Sequence, residues 1–82
     1  AVSTLRAFRE KADRIRETEL ERAIKSLSSG ESAEKVLESL ARAITNKFTH
    51  APSVQLKNAS SEGREELIDL VNELFELAKK DN

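Results

Sequence analysis

The chain has two glycines, Gly30 and Gly63, and each closes a short serine-bearing break, Ser28-Ser29-Gly30 and Ser60-Ser61-Glu62-Gly63. On either side of these breaks apolar residues recur at three- and four-residue intervals, which places them on single helical stripes. Three helical segments are therefore expected. In the first, spanning about Ser3 to Leu27, Leu5, Phe8, Ala12 and Ile15 form a coiled-coil-like seam. The next seam position is Glu19, and beyond it Leu20, Ala23, Ile24 and Leu27 make a second stripe. At about 100° per residue this stripe is rotated by roughly a quarter turn from the first. One helix thus offers two faces to two neighbours. Its length points the same way: a helix of about 25 residues rises roughly 37 Å, whereas a compact domain of this size is about 30 Å across. Apolar surface that projects past its own core needs cover, either from a second chain or from the last helix folding back over this seam within one chain.

In the second segment Ser32 is placed to cap the helix through its hydroxyl. Val36, Leu37, Leu40, Ala41, Ile44 and Phe48 should face a core, with Glu34, Lys35, Glu38 and Arg42 turned away. Pro52 has no amide hydrogen and biases Ala51 out of the helical region, so this helix should stop near His50. The fixed φ of the proline then suits the first turn of a short connecting helix carrying Val54, Leu56 and Ala59. The last helix should begin between Glu62 and Glu65 and end at about Lys79. Glu65 and Glu66 in its first turn, and Lys79 and Lys80 in its last, complement the helix dipole. Its apolar residues, from Leu67 and Ile68 through Leu70, Val71, Leu74, Phe75 and Leu77 to Ala78, cover more than half the circumference, so two sides need cover. Each fully buried Leu or Phe contributes about 1.5 to 3 kcal/mol, which gives such cover a strong driving force.

A second signal lies in the residue types. Leu40-Ala41-Arg42, then Thr45-Asn46-Lys47-Phe48-Thr49-His50-Ala51-Pro52-Ser53, then Leu56 and Ala59, resemble the "LxNKLxHxPTxxLrxA" signature of the C-terminal dimerisation domain of glutamyl-tRNA reductase. Upstream, Glu17-Thr18-Glu19-Leu20-Glu21-Arg22-Ala23 is similar to the "E(x)ELERAL" run of that family. The resemblance covers roughly Leu5 to Ala59 and is least specific in the last helix. Phe48 stands where the family usually has Leu, and Ser53 where it has Thr. Asn46, Lys47, His50 and Pro52 are the core of this signature. A partly buried Asn46 would fix the register of a helical interface, a role the resemblance supports; the other reading of Asn46 and Lys47 is a solvated polar pair.

Composition narrows the chemistry. A chain of 82 residues is one small domain, residues 1–82, with no room for a second independent core. Charged residues make up 35% yet the net charge is -1, which argues against a dedicated nucleic-acid binder. The Arg and Lys of the first helix are interleaved with acids so that Glu10 with Arg14, and Glu21 with Lys25, should pair at i,i+4 as a solvated face. There is no cysteine, hence no disulfide framework and no thiolate site. No apolar run is long enough to cross a bilayer and no signal-peptide core is present, so a soluble, cytoplasmic setting without membrane contact is expected. His50 is the only histidine and lacks companions for a metal site or a catalytic dyad. It is expected at the C-terminal end of the second helix, bonding the last carbonyls. Thr45 and Thr49 should back-bond to carbonyls four residues earlier.

These readings combine into an all-α fold: a small helical bundle of three long helices plus a short connecting helix, pairing as a two-fold homodimer. The expected dimer interface is Leu5, Phe8, Ala12 and Ile15 with Leu67, Val71, Leu74 and Phe75. No catalytic residue, cofactor-binding residue or metal ligand is expected in the chain itself. What the resemblance implies is a parent enzyme of which this domain is one part. Glutamyl-tRNA reductase uses NADPH to reduce the glutamyl group of charged tRNA to glutamate-1-semialdehyde, opening tetrapyrrole (heme, chlorophyll) synthesis. In that family the reaction needs a nucleophilic cysteine in a catalytic domain and a separate nucleotide-binding domain. Contact with tRNA would belong to that parent rather than to this domain. The alternative to self-association is a monomeric helical adaptor whose groove takes a partner protein.

Overall fold

The computed structural model describes residues 1–77. Three α-helices follow one another: α1 (Val2–Ser28), α2 (Ala33–Ser61) and α3 (Glu65–Leu74), with no strand among the described residues. The chain divides into two compact units, Ala1–Thr49 and His50–Asn82, and α2 contributes to both. Of the expected last helix, Ala78, Lys79 and Lys80 lie outside the described residues.

The first break is a Schellman motif. The Glu31 amide donates to the Ser26 carbonyl (3.1 Å) and the Gly30 amide to the Leu27 carbonyl (3.1 Å), with Gly30 at φ 100°. Only glycine adopts that backbone without penalty. Ser32 then caps α2 as its position foretold, its Oγ accepting the Lys35 amide at 3.2 Å. In this first unit α1 and the leading part of α2 lie antiparallel. Residues close to the turn meet, as do residues far from it: Ala23 and Ser26 share a small cavity with Val36 and Leu40, and the Phe8 and Phe48 rings stand 5.8 Å apart at 58°. On α2 the contact line is Val36, Leu40, Ile44 and Phe48, a single row at four-residue spacing that is buried or half-buried. Leu37 and Ala41, expected on the buried face, are exposed. One neighbouring helix covers one row, and these two residues lie about 100° round the helix from it.

Pro52 does not end the second helix. α2 runs from Ala33 through Pro52 to Ser61, so the expected stop near His50 and the separate connecting helix are replaced by one helix of 29 residues. The reason is that a proline's φ is itself helical and its cost is confined to one missing donor and the crowding of one carbonyl, that of Phe48. Stopping there would leave a whole turn of backbone groups unpaired. His50, expected to bond the last carbonyls of a helix, instead sits inside α2 and is exposed. Thr49 Oγ1 donates to the Thr45 carbonyl at 2.8 Å, the expected back-bond.

In the second unit the break after α2 repeats the first. The Arg64 amide donates to Ala59 (2.8 Å) and the Gly63 amide to Ser60 (3.3 Å), with Gly63 at φ 72°. The same pattern ends α3 at Leu74, short of the expected Lys79: the Leu77 amide donates to Asn72 (2.9 Å) and the Glu76 amide to Glu73 (3.3 Å). Here the left-handed position is held by Glu76, at φ 53°, rather than by a glycine.

Candidate subunit interface

Helical spacing places a charge in the α1 seam, and the fold answers it. Ala12 and Ile15 are half-buried along that seam, Glu19 is only 4% exposed, and Ala23 is buried after it. The Glu19 carboxylate accepts from Lys47 Nζ at 3.3 Å across the helix pair. Arg22 Nε stands 3.8 Å from its other oxygen. No buried side-chain polar atom lacks a partner among the described residues, as burying a carboxylate requires. Sequence reasoning put Glu19 on the seam and Lys47 in the signature without joining them. The available signal was the seam itself, since an acid at an inward position asks for a base on the facing helix.

Outside that pair the chain buries little. Among the described residues the buried apolar ones are Ala23, Val36 and Ala59, and no large side chain is fully buried. Twelve large hydrophobic residues among those described are exposed, including Val2, Leu5 and Phe8 at the start of α1 and Leu20, Ile24 and Leu27 on its second stripe. In the second unit Leu70, Leu74, Phe75 and Leu77 are exposed, while Leu67, Ile68 and Val71 are half-buried. Leu5, Phe8, Leu74 and Phe75 of the expected interface are thus open, and Ala12, Ile15, Leu67 and Val71 are partly covered. Phe8 is both: half its surface is open, and its ring meets Phe48. Of the signature residues, Asn46 is exposed, Lys47 reaches Glu19 and Pro52 is half-buried within α2.

The solvated face pairs differently from the i,i+4 expectation. Glu10 with Arg14 and Glu21 with Lys25 do not form ion pairs; Asp13 instead takes both Arg9 and Arg16, each at 3.8 Å. All three side chains are substantially exposed, and such pairs contribute on the order of 0 to 1 kcal/mol. Among the described residues no group of three or more His, Asp or Glu is placed to hold a metal ion. No helix among the described residues is long and apolar enough to cross a membrane.

Helical units that leave apolar rows uncovered define a class, the small all-α association module. The chain belongs to the family described as glutamyl-tRNAGlu reductase, dimerisation domain, whose profile matches residues 1–77. Among its curated relatives, a glutamyl-tRNA reductase of Stutzerimonas stutzeri is 53% identical over 77 residues, 94% of this chain and 18% of the relative. One of Nitrosomonas europaea is likewise 53% identical over 77 residues, covering 94% of this chain and 18% of its own length. One of Pseudomonas fluorescens is 48% identical over 79 residues, 96% of this chain and 19% of its own. The chain therefore spans about a fifth of the length of these relatives. No solved structure matches it.

Proposed function

We propose that this chain joins two copies of a glutamyl-tRNA reductase into a two-fold homodimer. Leu5, Phe8, Ala12 and Ile15 of α1, with Leu67, Val71, Leu74 and Phe75 of the second unit, form the contact. The polypeptide it serves reduces the glutamyl group of charged tRNA to glutamate-1-semialdehyde with NADPH, in the cytoplasm, at the start of tetrapyrrole synthesis. Catalysis, the cofactor and tRNA contact belong to the rest of that polypeptide, and this domain supplies association. The single observation that carries the association role is the imbalance of burial: among the described residues no large side chain is fully buried while Leu5 and Leu74 are 69% and 68% exposed. The family and the names of the relatives support the enzyme assignment. Light scattering on the purified chain should give the mass of a dimer, and Phe8→Glu with Leu74→Glu should give half that mass with helical circular dichroism retained. A wild-type chain that stays monomeric at every concentration overturns the role and favours an adaptor awaiting a different partner.

A further inference from the structure

Two uncovered features of the chain match each other in apolar character and in charge. At the start of α1 a shallow groove is lined by Val2, Leu5, Arg6, Phe8, Arg9 and Glu10. Its floor is apolar, since Val2 and Leu5 are 72% and 69% exposed and Phe8 is half open. Two arginines border it against one acid. Arg9 has a partner only in Asp13, at 3.8 Å with the Arg9 side chain 81% exposed, and Arg6 forms no ion pair among the described residues. α3 has the opposite character. Leu70 and Leu74, four residues apart on one row, are 56% and 68% exposed. Every charged residue of the helix is an acid: Glu65, Glu66, Asp69 and Glu73. Glu66 lies four residues before Leu70 on the same row, and Glu73 is about 60° from it on the side away from half-buried Leu67 and Val71.

We propose that the Leu70–Leu74 row of α3 in one copy seats in the Val2, Leu5 and Phe8 groove of α1 in a second copy, and reciprocally. Arg6 and Arg9 then face Glu66 and Glu73 across the rim. This rests on the dimer reading above and specifies its pairing. A two-fold operator makes a contact from residue i to residue j recur as j to i, so each pair of copies contains the α1 to α3 contact twice. Self-pairing of the acidic α3 row, or of the arginine-bordered groove, would set like charges against each other, which interfaces avoid. Glu10 at the groove and Arg64, 3.8 Å from Glu66, temper the complementarity without reversing it.

The experiment is a charge swap read by sedimentation equilibrium. One variant carries Arg6→Glu and Arg9→Glu, the other Glu66→Lys and Glu73→Lys; all four positions are exposed, and circular dichroism reports that the helices remain. Each variant alone should dimerise at least roughly tenfold more weakly than wild type at low salt, because two like-charged rims then meet. An equimolar mixture should recover dimers, since each variant's altered helix meets a complementary one. The wild-type dimer should also weaken as salt rises. If the wild-type chain dimerises but the single variants are unaffected, or their mixture is not restored, the α1 to α3 pairing is overturned and the dimer stands. A wild-type chain that never dimerises overturns both.

Discussion

Glu19 occupies a position that helical spacing reserves for an apolar side chain, and its energetics follow from that. Its carboxylate is almost out of solvent, while the Lys47 side chain that meets it is 56% exposed, so the pair straddles the edge of the helix interface. Removing Lys47 leaves a buried charge with Arg22 alone at 3.8 Å. Lys47→Met should therefore destabilise the chain by about 1 to 3 kcal/mol, at the lower end because water reaches the lysine. Glu19→Leu, which removes the charge rather than its partner, should be close to neutral, and the double variant should recover most of the loss. Urea denaturation of the four proteins measures this, and a Lys47→Met chain as stable as wild type refutes a structural role for the pair. The contact spans 28 residues of sequence, which explains why local spacing revealed each partner but not their meeting.

At the scale of elements, what could be read in advance was what depends on near neighbours. Ser32 as a cap, and Gly30 and Gly63 as helix ends, follow from side-chain chemistry within one turn, and all three hold. Pro52 departs from its expected role because the helix on both sides of it outweighs its local penalties. The end of α3 at Leu74 could not be read because Glu76 in a left-handed conformation carries no sequence signal. Pro52 and Glu76 both hold stability in reserve. Pro52→Ala supplies the missing donor beneath the Phe48 carbonyl and should stabilise by about 1 to 3 kcal/mol, less whatever packing the half-buried ring gives up. Glu76→Gly relieves a left-handed L-residue and should gain about 1 kcal/mol. Chemical denaturation midpoints should rise in both. A fall for Glu76→Gly would show that the α3 cap is not the solution structure. The apolar rows were legible too, but which row α2 covers was not: α1 buries the one that runs through Glu19 and leaves Leu20, Ile24 and Leu27 open, a choice made by tertiary packing.

For the molecule as a whole, stability and association are one quantity if the open rows are subunit contacts. A chain of 82 residues with no large side chain fully buried among those described has little apolar burial of its own to offset the conformational entropy of folding. Each large side chain covered by a partner contributes about 1.5 to 3 kcal/mol, so covering a few of the twelve that are exposed among the described residues adds several kcal/mol to the folded dimer. Mass action then links folding to concentration: the folded dimer is favoured as chains are added, whereas an autonomous monomer is indifferent to dilution. The thermal midpoint of this chain should rise by several degrees on the order of each hundredfold increase in concentration, since a 1 kcal/mol change moves the midpoint of so small a domain by about 4 to 8 °C. The Phe8→Glu, Leu74→Glu variant should melt lower and at one temperature throughout the same dilution series. A wild-type midpoint that does not move with dilution would mean that the helices hold together without a second copy, and the open rows would then need another occupant.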